Sequence, residues 1–595
     1  MKKITWYLNR LKAMNMGEIC WRFQQKNLQK QERRKYYKEN LPVYEFELPD
    51  ELKNLNAQVD RISINWNNEK FTVFKEQNLF GVYSYNKYKR AWDAGFQTEN
   101  VWPTDQCSYD ISISQREDIG DIRTNWELNR HYQFAGMAKS FYVTGDFSIL
   151  EELQELFYDW NNKNHFLCGV EWTSAMEIAI RVNSWIYTYC FLNKAFEKYN
   201  LENNKILKDI SRGIIVMADY IIKHRAKYSS ANNHLIVEMY AVGMSGIFFD
   251  YKPWEKLAFK ILTEELPRQN YADGVNKEMS LHYQSFVMEA YGLLMIEMKH
   301  NHIKIPQIWE EYLMHMSEFM CDCCGEYGET VVFGDNDEGK ILDLSGEHFD
   351  HYRYVLDLMG NVLSKRYSKM ENIHENLCWI LSDDFQNSVL QKNCYYSPEV
   401  KCYKEGGYTL WRSKNNKVLI GIDHADLGFG SLAAHGHADA LSFQMFIEGV
   451  PVFVDPGTYN YHVPKKIRDE FRATKNHNTV CVNDQNQAEI LGPFLWGKRY
   501  KINNVEFDNE CEKKCIMTAE LQNSSYVHRR KFVYNKANQL IIEDVVQGGQ
   551  DIHLALICNF KAKIEVNQNV VIVRIGDKVV KINFDEASKI KEENV

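Results

Sequence analysis

The spacing of apolar residues divides the chain into two halves. From about residue 118 to about 366 apolar residues recur at helical spacing, as in residues 175–186 and 213–222. Polar breaks such as residues 144–146 and 229–232 separate these segments. The pattern predicts successive helices that stack as hairpins.

After about residue 394 the pattern changes to short alternating or β-branched runs. Residues 417–422, 479–482 and 570–575 are examples, and Gly576-Asp577 supplies a turn before the next run. These runs predict an antiparallel β domain. The change falls in polar sequence between about residues 369 and 394.

Length and charge narrow the class of protein. A chain of 595 residues exceeds what one hydrophobic core supports, so at least two domains are expected. The formal net charge of -9 argues against general affinity for nucleic acid, and an acidic polysaccharide would need a local basic cleft. No apolar stretch is long enough to cross a bilayer.

The N-terminal residues and the cysteines indicate the cellular compartment in which the protein is expected. Residues 1–10 begin with positive charge but lack an uninterrupted apolar core, so we interpret them as mature protein and expect a cytoplasmic location, with periplasmic or other export as the alternative. Cys321, Cys323 and Cys324 cluster without the paired spacing of a zinc site. Free thiols in a reducing compartment are therefore expected.

A His-Gly-His motif precedes a predicted strand in the second half. His435 and His437 stand at i and i+2, so on a strand both would face one cavity and either share a metal or divide into ligand and base. Asp455 and His477 flank neighbouring strands. Two histidines and a carboxylate suit zinc, whereas hydrogen-bonded structural histidines are the alternative that spacing leaves open.

Two polar segments open helices in the first half. Asn232, Asn233 and His234 follow a polar break, where they serve either as a helix cap or as amides that hold a carboxylate. Tyr283 lies in a polar segment that starts an apolar helix. Its phenol either packs or, beside a histidine, transfers protons.

Together these motifs resemble the heparinase II/III-like family of polysaccharide lyases. The resemblance covers the chain from about residue 125 onward and is carried by several short motifs. They are His435-Gly436-His437-Ala438-Asp439, Asp455-Pro456-Gly457-Thr458-Tyr459, His477-Asn478-Thr479-Val480, Asn232-Asn233-His234-Leu235 with Glu238, and Asp273-Gly274 with Glu278, Ser280 and Tyr283.

The resemblance implies an α+β multidomain fold, an incomplete (α/α) toroid followed by an antiparallel β-sandwich, with the substrate in the cleft between them. The expected domains are an N-terminal helical cap region (1–103), an alginate-lyase-like catalytic toroid (104–385) and a heparinase II/III-like β-sandwich (386–595).

The resemblance also implies roles for individual residues. Asn233, helped by His234, would hold and neutralise a uronate carboxylate, while Tyr283 and His435 would form the acid/base pair. Substrate-binding residues would be Asn232, Glu238, Glu278 and Arg472. A mainly structural Zn²⁺ would be bound by His437, Asp455 and His477, and no organic cofactor is expected.

The implied reaction is β-elimination of a uronate-containing chain such as heparan sulfate or heparosan. Removing the proton α to a carboxylate builds charge on that group, which amide donors and a cation would stabilise. The reaction leaves an unsaturated uronate at the new non-reducing end. Candidate cations are Arg123, Arg130, Arg181 and Arg472.

Gln284 departs from the family pattern, because relatives often have His after the tyrosine. This affects the expected proton network around Tyr283. The lack of an obvious export signal leaves open a biosynthetic or trimming role in a capsule or exopolysaccharide pathway.

Three other functions compete. A C5-uronosyl epimerase would share the first proton abstraction but return a proton to C5. A hydrolase would need two carboxylates, for which Asp273 and Glu278 are the candidates. A non-catalytic carbohydrate-binding protein would not depend on Tyr283 and His435.

Overall fold

The structure is a computed structural model. It describes residues 14–592 apart from 38, 70, 75–78, 81, 115, 203–204, 369–372, 462–463, 510–513, 536–538 and 586–589. The interpretation of residues 1–10 as mature protein lies outside the described residues.

The described part of the first 390 residues is helical. Its α-helices are α1 Met16–Glu32, α2 Tyr85–Tyr88, α3 Ile122–Asn129, α4 Tyr132–Thr144, α5 Phe147–Lys163, α6 Ala175–Lys198, α7 Lys205–His224, α8 Asn233–Phe248, α9 Lys252–Gln269, α10 Leu281–His300, α11 Gln307–Cys323, α12 His351–Val362, α13 Glu375–Ile380 and α14 Asp383–Leu390.

Alternate helices form a continuous row. Helix α4 packs against α6, α6 against α8, α8 against α10 and α10 against α12, while the intervening helices α5, α7, α9 and α11 pack against members of this row. Helices α8 and α10 are buried along almost their whole length, which explains why their sequences are apolar on every face. This arrangement confirms the predicted toroid of stacked hairpins.

The described part of the first hundred residues contains little regular helix beyond α1. Short 3-10 turns at Val43–Glu45 and Asp50–Leu52 follow Pro42 and Pro49, which favour extended backbone before each turn. Their apolar side chains enter the same core as the toroid helices. Between α1 and α3 the described residues are thus mainly irregular chain packed against the toroid, apart from the single turn of α2.

The second half contains sixteen strands among the described residues. They are β1 Val400–Tyr403, β2 Tyr408–Arg412, β3 Val418–Asp423, β4 Phe443–Ile447, β5 Val450–Phe453, β6 Val480–Val482, β7 Ile490–Gly492, β8 Leu495–Trp496, β9 Lys501–Asp508, β10 Lys514–Gln522, β11 Val527–Asn535, β12 Gln539–Gln547, β13 Ile552–Leu554, β14 Lys563–Asn567, β15 Val570–Ile575 and β16 Lys578–Asn583. A short helix, α15 Lys465–Phe471, lies between β5 and β6.

The strands form antiparallel sheets that share one core. The largest sheets have the orders β1-β2-β3-β4-β5 and β12-β11-β10-β9. Their inner faces meet where the Trp411 ring stacks 5.5 Å from the Tyr534 ring and Phe443 lies 6.3 Å from Phe532. The packing of two sheets explains the alternating apolar positions read from the sequence.

The change from helices to strands falls between Leu390 and Val400. The predicted boundary at 385/386 lies inside α14, because that helix begins at the polar sequence taken as a linker. No helix in the described part of the chain combines the length and apolarity that a bilayer crossing requires.

Candidate active site

The predicted catalytic residues come together where helix ends meet a loop of the β domain. Asn233 begins α8 and Tyr283 lies in the first turn of α10. His435 comes from the loop between β3 and β4, and its ring centroid lies 3.8 Å from that of Tyr283. Residues from distant parts of the sequence therefore form one site.

Helix capping fixes the two helix ends. The Asn232 side chain accepts a hydrogen bond from the His234 backbone, and the Ser280 hydroxyl accepts one from the Tyr283 backbone at 3.1 Å. The capping interpretation and the functional interpretation of these segments are thus compatible, because the caps hold Asn233 and Tyr283 in place.

Glu278 connects the helical side of the site. Its carboxylate accepts hydrogen bonds from the Asn233 backbone at 3.0 Å, the Asn233 amide at 2.8 Å and the Asn232 amide at 3.0 Å. Its Oε2 also lies 3.7 Å from His435 Nε2. Burial raises the pKa of Glu278, while His435 and the Asn233 amide oppose that rise. Glu278 thus holds the amides of both asparagines and places its own carboxylate beside His435.

The Tyr283 hydroxyl lies in a network of hydroxyl and carboxylate groups. It donates to Asp337 Oδ2 at 3.1 Å and lies 2.9 Å from the Tyr461 hydroxyl. Burial and the charges of Asp337 and Tyr461 raise the pKa of Tyr283 well above its ordinary value. The phenol therefore holds its proton at neutral pH, as a general acid must.

Asp335 links His435, the predicted catalytic histidine, to His437, the predicted metal ligand. One carboxylate oxygen lies 3.1 Å from His435 Nδ1 and the other lies 3.0 Å from His437 Nε2. Arg468 binds both oxygens, at 2.6 and 2.7 Å. Burial favours the neutral acid, but Arg468 and the two histidines outweigh it and hold the pKa of Asp335 well below its usual range. The contact leaves His435 Nε2 facing Glu278.

The sequence analysis missed Asp335, Asp337, Arg468 and Tyr461. Asp335 and Asp337 lie in the segment Gly334-Asp335-Asn336-Asp337, which falls within the stretch taken as helical. Gly334 has φ +66°, and a Cβ there would lie 2.0 Å from the Met279 carbonyl oxygen. A glycine beside two acidic residues was the available turn signal.

A metal-binding group lies beside this network. Ligand atoms of His437, Asp439, Asp455 and His477 all lie within 4.8 Å of one another. His437 Nδ1 and His477 Nε2 are buried without a hydrogen-bond partner among the described residues. His477 Nδ1 is hydrogen-bonded to the Ala473 carbonyl at 2.8 Å, which turns Nε2 towards the group. The donors therefore fit a divalent metal ion, and Asp439 is a fourth candidate ligand beside the three predicted.

His234 is near the site as a neutral imidazole. Burial lowers its pKa to about 4, and His435 and Asp337 lie close enough to affect it electrostatically. At neutral pH it therefore offers a hydrogen bond and no positive charge. Arg123 is the predicted cation that the structure places at the site, because it donates to the Asp337 carbonyl and lies 5.6 Å from the Tyr461 ring.

Other predicted residues are engaged in structural contacts. Glu238 accepts a hydrogen bond from the Ala226 backbone at 2.6 Å and so supports the chain that leads to Asn232; burial raises its pKa to about 8. Arg130 binds Glu177, and Arg181 binds Glu171. These three predicted residues are buried away from solvent.

The Nη1 and Nη2 donors of Arg472 are also engaged, and its Nε is buried without a hydrogen-bond partner among the described residues. Its guanidinium is fully buried and donates to Asp469 at 2.7 Å and to the carbonyls of Gly492 and Pro493 at 2.7 and 3.0 Å. It ties α15 to the β7–β8 hairpin. A substrate carboxylate would have to displace these bonds.

We expect Arg472→Ala to lower the free energy of unfolding and to leave substrate binding nearly unchanged. Loss of the buried guanidinium leaves the Gly492 and Pro493 carbonyls without this donor and Asp469 with Lys465 as its remaining cation, which costs about 2–4 kcal/mol of unfolding free energy. Chemical denaturation measures this cost, and the KM of the remaining folded enzyme should stay within about twofold. Exposed Arg574→Ala is the control. A large rise in KM at unchanged stability would restore the substrate-binding role.

Gln284 supports the loop in front of Tyr283. Its side chain accepts from the Asn276 backbone at 3.0 Å and donates to the Gly274 and Met316 carbonyls, each at 3.1 Å. The preceding residue, His282, has its Nε2 3.0 Å from Asp337 Oδ1, and Tyr283 donates to the other oxygen of the same carboxylate.

A cavity of about 270 Å³ opens beside Glu278 between the two halves. It is lined by Asn15, Glu18, Tyr228, Ser229, Asn232, Arg268, Glu278, Phe429, Gly430, Ser431, Leu432 and Ala434. The Arg268 guanidinium lies 5.9 Å from the Phe429 ring. The cavity thus offers an aromatic face and a cation next to the predicted carboxylate holder.

A helical toroid, an antiparallel β domain and a tyrosine–histidine pair at their junction define the class of this protein. The heparinase II/III N-terminus family model matches residues 13–340, and the heparinase II/III-like C-terminal model matches residues 397–591. The chain therefore belongs to the heparinase II/III family.

Individual relatives agree with this assignment. The chain is 22% identical over 449 residues to the heparin-sulfate lyase of Bacteroides thetaiotaomicron, covering 70% of this chain and 61% of the relative. It is 21% identical over 477 residues to the heparin-sulfate lyase of Pedobacter heparinus, covering 76% and 63%. The chain thus spans less than two thirds of the length of these relatives.

Solved structures show the same fold. A crystal structure of heparinase III superposes with a TM-score of 0.61 at 19% identity, covering 90% of this chain and 78% of that one. A heparan sulfate lyase of Pedobacter heparinus superposes with a TM-score of 0.53 at 18% identity, covering 93% and 79%.

Proposed function

We propose that this protein is a polysaccharide lyase that cleaves a uronate-containing chain of the heparan sulfate or heparosan kind by β-elimination. The main observation that supports this proposal is the contact between the Tyr283 and His435 rings, beside Asn233 and Glu278. The names of the relatives, heparin-sulfate lyases, support this substrate class.

In the proposed reaction the uronate carboxylate binds at the N-terminus of α8. The positive end of the helix dipole favours an anion there. The Asn233 amide, which donates to Glu278 at 2.8 Å, would exchange that partner for the substrate carboxylate. Neutralising the carboxylate acidifies the C5 proton. His234 adds a hydrogen bond because burial keeps it uncharged.

We assign the base to His435 and the acid to Tyr283. Asp335 accepts the His435 Nδ1 proton, so Nε2 has its lone pair free to remove the C5 proton. Tyr283 retains its proton and gives it to the departing O4. The Tyr461 hydroxyl, 2.9 Å away, is placed to reprotonate Tyr283.

The decisive experiment incubates purified protein with heparosan, heparan sulfate, chondroitin, hyaluronan and alginate. Cleavage with a rise in ultraviolet absorbance from unsaturated uronate supports the lyase. Solvent deuterium at C5 without cleavage would instead identify the epimerase. Binding without either change would identify a carbohydrate-binding protein.

We propose that the metal at His437, Asp439, Asp455 and His477 is zinc, in a mainly structural role. Bound there, zinc would hold the loops after β5 and before β6 together. It would also fix His437, and through Asp335 the position of His435.

We expect His477→Ala to lower the zinc content to less than one fifth of the wild-type ratio and to lower the Tm by several degrees, because a buried ligand is lost. Elemental analysis and calorimetry measure the two effects. His553, which is exposed, provides the control variant His553→Ala. Unchanged zinc content in His477→Ala would contradict the site.

A further inference from the structure

Two buried cysteines lie opposite each other near the N-terminal edge of the toroid. Cys107 and Cys168 form an isolated antiparallel bridge between the chain before α3 and the turn before α6. Each is 2% exposed, and neither is in a disulfide. The reaction proposed above does not use them.

The hydrogen bonds around the bridge define its type. The Ser108 backbone N–H donates to the Leu167 carbonyl at 2.9 Å, and the Gly169 N–H donates to the Gln106 carbonyl at 2.9 Å. The bonds therefore flank Cys107 and Cys168, which is the pattern of a non-hydrogen-bonded antiparallel pair.

Such a pair has the geometry that a disulfide requires. Directly opposite residues of this type have Cα atoms about 4.5 Å apart and side chains on the same face. Disulfides span Cα separations of about 4.4–6.8 Å. Closing the S–S bond therefore needs no change of backbone register.

The segment that carries Cys107 also contacts the end of α1. Tyr109 of the same segment donates to Glu32 of α1 at 2.6 Å, and Tyr37 donates to the Asp105 carbonyl at 2.6 Å. A disulfide between Cys107 and Cys168 would therefore fix the segment that contacts the end of α1.

We propose that Cys107 and Cys168 are a redox-active pair that closes to a disulfide in the presence of a small-molecule disulfide such as oxidised glutathione. The Cys107 thiolate attacks the glutathione disulfide, forms a mixed disulfide and releases one glutathione thiol. Cys168, whose thiol pKa burial and the neighbouring Cys107 raise to about 11, then loses its proton, attacks the Cys107 sulfur and releases the second glutathione thiol. The protein loses two protons and two electrons, which leave in the two reduced glutathiones.

Closure constrains the unfolded chain. The bond closes a loop of about 60 residues that contains α3, α4 and α5, and loops of this size give large entropic stabilisation. We expect the oxidised protein to unfold at a Tm about 3–8 °C higher than the reduced protein. Thiols elsewhere in the described part of the chain have no such cross-strand cysteine partner.

The test uses the full chain, both folded and refolded from denaturant in a glutathione redox buffer. Peptide mapping should find one major cross-link, between the Cys107 and Cys168 peptides, with loss of two of the fourteen thiols. Dithiothreitol should reverse the cross-link and the Tm gain. Cys107→Ser should lack both effects, while the exposed-thiol control Cys20→Ser should keep both.

Other outcomes overturn the proposal. They are the absence of this peptide under both conditions, or scrambled cross-links of equal abundance. The wild-type peptide map decides the matter even if Cys107→Ser folds poorly, and lyase assays are not needed for it.

Discussion

Tyr283→Phe should lower kcat by about 10²–10⁴-fold while changing KM by less than about threefold. The substitution removes only the hydroxyl that gives a proton to the departing O4, and general acid catalysis contributes about this much. The ring, which packs 3.8 Å from His435, remains in place. Initial rates of unsaturated-uronate formation measure both constants.

The same helix supplies a matched control. Tyr291 is also buried on α10, and its hydroxyl donates to the Leu262 carbonyl at 2.7 Å. Tyr291→Phe loses one buried hydrogen bond of comparable strength but no group at the site, so kcat should remain within about twofold. A Tyr283→Phe variant with wild-type kcat would remove Tyr283 from the proposed reaction and favour a binding protein.

The periodicity of apolar residues was sufficient to predict the fold class. Helical spacing in the first half and short alternating runs in the second follow from burial on one or both faces of each element, which is a local property of sequence. The structure of the irregular N-terminal region was harder to predict, because 3-10 turns are too short to give a repeating pattern of apolar residues.

The site was predicted only where a motif marks it. Asn233, Tyr283 and His435 stand in recognisable motifs, and the structure brings them together. Asp335 and Arg468 stand 133 positions apart, and nothing in either local sequence shows that they pair. Long-range ion pairs depend on how the two halves dock, which spacing along the chain does not encode.

The sequence also did not show whether a residue in or near the site is charged or available to substrate. His234 looked like a possible help in neutralising a carboxylate, but burial lowers its pKa to about 4. Arg472 looked like a cation available to substrate, but it is fully buried and carbonyl groups and Asp469 occupy its Nη1 and Nη2 donors. Burial and pairing, which only the folded chain defines, decide both roles.

Asp335→Asn should reduce both stability and turnover. The amide cannot balance the buried Arg468 charge, and breaking a buried pair in this way costs about 3–5 kcal/mol. It also cannot accept hydrogen bonds from both His435 and His437, so His435 loses its fixed orientation. We expect kcat to fall roughly 10–100-fold, as for other residues that orient a functional histidine.

Asp343 provides the matched control for this variant. It is another buried aspartate of the same inter-helix segment, and it binds Lys340 at 2.6 Å and the Gly346 backbone at 2.9 Å without touching a histidine. Asp343→Asn should lower the free energy of unfolding, measured by denaturant titration, but leave kcat within about twofold.

A double variant separates the two roles of Asp335. In Asp335→Asn/Arg468→Met no uncompensated charge remains buried, so most of the lost stability should return. The low kcat should persist, because His435 still lacks its carboxylate partner. Recovery of kcat together with stability would show that Asp335 serves only to neutralise Arg468, and the tautomer of His435 would then have to be fixed by another group.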